Sequence, residues 1–83
     1  MIGKPISPGA HKTLTYYGWV RGEGETYTHP ERPGEEVQIK GHREVGGGRA
    51  SLEWFHSRPG FPGLEGDGLG QLEYHLMRAA GGQ

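Results

Sequence analysis

Residues 19–40 read WVRGEGETYTHPERPGEEVQIK, and this stretch decides the fold class. Its clearest part is Glu36–Lys40, where Val37 and Ile39 fall on one face and Gln38 and Lys40 on the other. That period of two belongs to a half-buried strand. Upstream, Trp19-Val20-Arg21 reads as a short strand and Glu25–His29 as its return. Gly22-Glu23-Gly24 makes the turn between them, because glycine admits positive φ. Pro30–Gly34, with two prolines and a glycine, makes a second turn. Short strands joined by tight turns predict an antiparallel sheet.

Towards the N-terminus, residues 1–6 carry Gly3 and Pro5 and read as a loose arm. Ser7-Pro8 has the form of a helix start, with Ser as N-cap and Pro in the first turn. Ala10–Tyr17 would then be a short helix ended by Gly18. The β-prone run Thr13-Leu14-Thr15-Tyr16-Tyr17 leaves a strand as the alternative. Towards the C-terminus, Gly46-Gly47-Gly48 is a break, and Arg49–His56 reads as a fourth strand. Ala50, Leu52 and Trp54 share one face of it, and Glu53 and Phe55 the other. Pro59–Gly66 reads as a Pro/Gly loop with Phe61 and Leu64 as anchors. In the final segment Leu69, Leu72, Leu76 and Ala79/Ala80 recur at spacings of three and four, which marks an amphipathic helix. Asp67 reads as its N-cap, Arg78 suits its C-terminal dipole, and Gly81-Gly82 ends it. The expected fold is therefore α+β: a small antiparallel sheet of three to four short strands with one or two helices packed on one face.

The chain has 83 residues, one domain's worth, and a chain of that length has a thin core. Its 17 glycines are about three times the average usage of about 7%, which suits long turns between short elements. Two Trp, four Tyr and two Phe argue against global disorder. The absence of Cys fits a reducing compartment. The net charge is −1, without the strong basic excess of a dedicated duplex binder. No run approaches the length of a membrane span, and no basic-then-apolar leader opens the sequence. A single domain over residues 1–83, with no membrane contact and a cytoplasmic location, is the expectation.

Several pieces share an order and spacing with a known family. Gly18-Trp19 follows the first helix. Residues 22–30 read GEGETYTHP, with Tyr27, His29 and Pro30 in fixed relation. Pro33-Gly34 precedes Val37, Ile39 and His42, and Leu69–Gly81 closes the chain. This series resembles the HicA toxin family of bacterial toxin–antitoxin systems, which has a double-stranded-RNA-binding-like fold. The resemblance spans roughly 60 residues, counted by pattern. It implies an RNA-binding protein, with RNA and a small antitoxin as partners. The chain departs from the family at Gly24, which stands where the family's catalytic His falls, and at Glu23, where its Ser falls. Residues 43–66 form a Gly/Pro-rich insertion, expected to contain an extra strand, that compact members lack.

Ribose 2′-OH deprotonation needs a base titrating near neutrality, and histidine is the natural one. Gly24 cannot serve, so ribonuclease activity is expected to be weak or lost. His29 and His42, near that turn and after the third strand, are the candidate replacements. Lys40, Arg43 and Arg49 form the one basic cluster in the sequence and are the candidate phosphate contacts. The five histidines show no metal-binding spacing, so neither metal nor cofactor is expected. Ser7, Ser51 and Ser57 lie in no nucleophile-elbow pattern. Glu23, Glu25, Glu31, Glu35 and Glu36 read as a solvated edge, and Trp19, Trp54 and Phe55 as core. The alternative function is a non-enzymatic protein-interaction or structural accessory factor, of phage type, which the insertion and the acidic turns would suit.

Overall fold

The computed structural model describes residues 4–46 and 49–81, with the side chains of residues 42–51 outside the description. The chain runs through helix α1 (Pro8–Tyr16), strands β1 (Val20–Arg21), β2 (Thr26–His29), β3 (Arg32–Gly46), β4 (Arg49–Arg58) and β5 (Phe61–Asp67), and helix α2 (Leu69–Ala80). A 3₁₀ turn at Glu23–Glu25 joins β1 to β2. The strands form one antiparallel sheet in the order β1-β2-β3-β4-β5, so each strand pairs with its neighbour in sequence. The α+β class holds, and the sheet has five strands rather than three or four.

The 8–17 segment is helix, not strand. Ser7 accepts a hydrogen bond from the Ala10 N–H at 3.2 Å, and Gly18 turns the chain away at φ 94°. The cap and proline fix the start, and this local chemistry outweighs the β-propensity of Thr13–Tyr17. The largest departure from expectation is β5. Pro62, Gly63 and Gly66 disguise it as a loop, yet it pairs with β4 from Arg58↔Phe61 to Glu53↔Asp67. Proline is tolerated there because β5 is an edge strand, where one row of backbone groups has no ladder partner. Gly66 is there for room: a Cβ on it would lie 2.3 Å from Cζ2 of Trp54. The described part of residues 43–66 thus holds the end of β3, all of β4 and nearly all of β5.

The second helix also starts differently from expectation. Gly68, at φ 93°, is its N-cap and supplies no side-chain bond. The side-chain carbonyl of Gln71 reaches back to accept from the Asp67 N–H at 2.8 Å.

Both helices cover one face of the sheet. Inward positions on adjacent strands line up through the register: Tyr27 opposite Val37, Val37 opposite His56, and Ile39 opposite Trp54. With Leu52 they meet Ala10 and Leu14 of α1, Leu72 and Leu76 of α2, and Trp19 in one buried cluster. Each large apolar side chain buried there contributes roughly 1.5–3 kcal/mol. The helices touch closely where Gly9 faces Leu69, since a Cβ on Gly9 would lie 2.8 Å from a Leu69 methyl. The hydroxyl of Thr13 donates to Glu73 across the same seam at 3.3 Å. At the N-terminal end, buried Glu25 accepts from Arg21 Nε at 2.9 Å and from the Ile6 N–H at 3.3 Å. That ties residue 6 to the β1–β2 turn. Among the described residues no helix is long and apolar enough to cross a membrane.

Candidate functional site

Three inward positions of this apolar face carry polar side chains, and they touch. Glu35 precedes Val37 and Ile39 on β3, while His56 follows Leu52 and Trp54 on β4. His75 lies on α2 between Leu72 and Leu76. Oε1 of Glu35 is 2.8 Å from Nε2 of His56, and Nδ1 of His56 is 2.7 Å from Nε2 of His75. His56 is only 2% exposed. The Trp19 ring meets its edge at 5.5 Å, and the Trp54 ring stacks on His75 at 5.0 Å.

The hydrogen-bond pattern assigns the protons. A carboxylate can only accept, so Nε2–H of His56 donates to Glu35. Burial pushes the pKa of His56 down, against the opposing pull of Glu35, so that ring carries one proton. Its Nδ1 is therefore an acceptor, and Nε2–H of His75 donates to it. The lone pair left over at the end of the relay is on Nδ1 of His75. Burial, then the neighbouring His56 and the Arg58 and Arg32 charges, push the His75 pKa down as well.

These directions fix a pH dependence. The unfolded histidines take up protons near the ordinary value of 6.5, above where either does so in the fold. Between those points the unfolded state binds more protons, so stability rises with pH. The melting temperature is expected to be highest above about pH 7 and to fall as pH drops through 6.5. The fall should flatten in His75→Gln, and calorimetry or thermal circular dichroism from pH 5 to 8 reads it. A flat wild-type profile across that window would contradict the relay.

His75 opens onto a pocket of about 380 Å³ between the β4–β5 hairpin and α2. Its lining includes Arg32, Arg58 and Arg78, with Glu65 as the carboxylate, and Trp54 and Tyr74 as aromatic walls. Each guanidinium is positioned by a neighbour. Arg32 bonds the Ala79 carbonyl and pairs with Glu35 at 3.4 Å. Arg58 lies 4.7 Å over the exposed Phe61 ring, and Arg78 lies 5.7 Å over Tyr74. The Trp54 indole N–H is buried with no hydrogen-bond partner among the described residues.

The residues singled out from the sequence lie outside this pocket's lining, Gly24 and His29 towards the β1–β2 end and Lys40, His42, Arg43 and Arg49 on the β3–β4 hairpin. Gly24 is exposed at the 3₁₀ turn with φ 65°, and a Cβ there would meet nothing within 4 Å. His29 ends β2 with both ring nitrogens engaged: Nε2 donates to the Tyr17 carbonyl at 2.9 Å, and Nδ1 accepts from the Glu31 N–H at 3.0 Å. It ties the end of α1 to the sheet and has no lone pair left for a base. Lys40 is exposed, 5.5 Å over Phe55, beside a pocket whose lining includes Glu53, Glu65 and Asp67. The backbones of His42, Arg43 and Arg49 lie in the β3–β4 hairpin, and their side chains lie outside the described residues. Glu25 and Glu35, read as solvated, are partners of Arg21 and His56.

The signal that would have found the relay is periodicity violated in three places. Residues 35, 56 and 75 each continue an apolar alternation or helical stripe with a polar side chain. A polar group on a buried face needs a partner, and three such positions on adjacent elements supply one another. Among the described residues, no three His, Asp or Glu side chains are placed to hold one metal ion.

In comparison with known proteins, no family model, no curated protein and no solved structure matches the chain.

Proposed function

We propose that the chain is an RNA-binding protein that takes a single strand into the arginine-lined pocket beside His75. The observation that carries this reading is the convergence of Arg32, Arg58 and Arg78 on one pocket with an exposed aromatic, Tyr74. Guanidinium forks match phosphate oxygens, and an aromatic wall suits an unstacked base. Lys40, among carboxylates, suits a phosphate less well. The HicA-like order of elements remains part of the proposal. With Gly24 at the motif's His position, cleavage through that turn is not expected.

Two or three neutralised phosphates on a single strand give a log–log salt slope of about −1.4 to −2.1. Labelled single-stranded RNA should therefore bind at low salt and weaken along that slope. The double change Arg58→Ala, Arg78→Ala should weaken affinity and flatten the slope together, while Lys40→Ala leaves both near wild type. Fluorescence anisotropy reads both quantities. No binding at about 50 mM salt would remove the proposal, since the electrostatic term is strong there.

A second reading, protein interaction, has its own support. Tyr16, Tyr74 and Met77 are 80%, 57% and 50% exposed, and with Leu69 they line a groove between the helices. Exposed apolar groups gathered in one place mark contact surfaces more often than scattered ones do. A small protein partner, an antitoxin among them, would bury this groove. Co-purification that is lost in Tyr16→Ser, Met77→Ser would favour it.

A further inference from the structure

We propose that the RNA site is also a proton-transfer site, in which Nδ1 of His75 acts as the general base of an RNA transesterification. This rests on the RNA-binding reading for its substrate and goes beyond it in assigning a reaction.

Among the described histidine side chains, one joins a free ring nitrogen to a place on the arginine pocket; His11, whose Nδ1 meets the Tyr27 hydroxyl at 3.0 Å, does not line that pocket. His29 has both ring nitrogens engaged, and so does His56. His75 has one nitrogen engaged, in the relay, and its ring lines the arginine pocket. A base needs a lone pair, a fixed tautomer, and something to stabilise the charge it gains. The relay supplies the last two. Glu35 holds the His56 proton on Nε2, which makes His56 Nδ1 an acceptor, which holds the His75 proton on Nε2. When Nδ1 of His75 is protonated, the new positive charge lies one imidazole away from the Glu35 carboxylate. Stacking on Trp54 at 5.0 Å keeps the ring from turning. Glu35 and His56 touch no substrate and are positioning residues.

RNA is the substrate class this arrangement suits, because it carries a hydroxyl beside each of its internal phosphates. His75 Nδ1 takes the proton of a 2′-OH, and the 2′-oxygen attacks the adjacent phosphorus. The bond from phosphorus to the 5′-oxygen breaks. The leaving oxygen takes a proton from water, and the imidazolium returns its proton to the hydroxide so formed. The products are a 2′,3′-cyclic phosphate and a 5′-hydroxyl, with no net consumption of water and no change of oxidation state. Arg32, Arg58 and Arg78 are the groups placed to meet the charge on the phosphorane oxygens. The charged and titratable groups around His75 are Glu35 and Arg32 of β3, His56 and Arg58 of β4, Glu65 of β5, and Tyr74 and Arg78 of α2.

The test uses the full chain with a short single-stranded RNA and, in parallel, its 2′-O-methyl analogue, which has no proton to give up. Expected are binding of both and cleavage of the RNA alone, with a 2′,3′-cyclic phosphate end. His75→Gln should lose at least about 100-fold in cleavage rate, the lower bound for a removed general base. Lys40→Ala should cleave as wild type does. Glu35→Gln, which removes the charge that favours protonated His75, should lower the rate and move the acid limb of the pH profile to lower pH. A purely structural role for Glu35 would reduce the rate without moving that limb. Should His75→Gln fail to fold, added imidazole should restore cleavage to a folded His75→Gly, and failure to restore it would count against the base. Analogue binding with intact RNA from pH 6 to 8, or equal cleavage by His75→Gln, would overturn the catalytic inference alone. Absence of binding to either strand would overturn the RNA reading and this inference together.

Discussion

Replacing Leu72 by Ala is expected to unfold a large share of the protein at ambient temperature. Leu72 is fully buried at the centre of the face where α2 meets the sheet, in the cluster with Val37, Ile39 and Trp54. Truncating a buried leucine loses its transfer free energy and leaves a cavity, at about 2–5 kcal/mol. A domain of 83 residues has a total stability of only several kcal/mol. For a domain of this size, each kcal/mol corresponds to roughly 4–8 °C in melting temperature. A drop of at least about 8 °C, or no cooperative transition at all, is the expected thermal result. A variant melting within a degree or two of wild type would mean that Leu72 is not in the core.

The second large effect is expected at Gly66, through crowding rather than loss. A methyl there would approach Cζ2 of Trp54 and Oε1 of Gln71, each at 2.3 Å. Gln71 can move only by releasing the Asp67 N–H it holds. Trp54 is buried and stacked on His75, so its displacement carries into the relay. Gly66→Ala should destabilise by about 1–3 kcal/mol, the usual range for an overpacked core. Two companions bracket the result. Gly63→Ala meets the Phe55 ring at 2.0 Å, but Phe55 is only half-buried and can turn, so its effect should be smaller. Gly70→Ala meets nothing within 4 Å and lies in α2, where Ala is favoured over Gly by up to about 1 kcal/mol. Chemical denaturation of the three variants should rank them Gly66→Ala, Gly63→Ala, wild type, Gly70→Ala in rising stability. Gly66→Ala at wild-type stability would contradict the packing of β5 on β4.

The elements that follow simple periodicities are legible in the sequence. Val37 and Ile39 alternate as a strand and lie inward. Leu72 and Leu76 repeat as a helix and are buried. Ser7 and Pro8 announce α1. What hides is decided by neighbours. Gly63 and Gly66 look like loop residues because no sequence rule shows the Phe55 and Trp54 rings that need their room. Asp67 looks like a cap because nothing local shows that Gln71 reaches back to its N–H. The relay hides for the same reason. Glu35, His56 and His75 are 21 and 19 residues apart along their two bonds, and only the β3–β4 register and the docking of α2 bring them together. His29, by contrast, stands out in the sequence for its neighbour Pro30, yet its ring is engaged in holding α1 to the sheet.

The composition of β5 has a consequence for behaviour at high concentration. A sheet of five strands has two borders, and each could recruit another chain by backbone pairing. One border is β1, which spans only Val20–Arg21 and offers too short a template. The other is β5, where Pro62 has no N–H to offer, the glycines have no side chains to interlock, and Glu65 and Asp67 repel a copy of themselves. Neither border can seed edge-to-edge growth, so the native protein should resist fibrillar self-assembly. Substituting Pro62 and Glu65 together by β-branched residues would remove that guard and turn β5 into a place where chains add to one another.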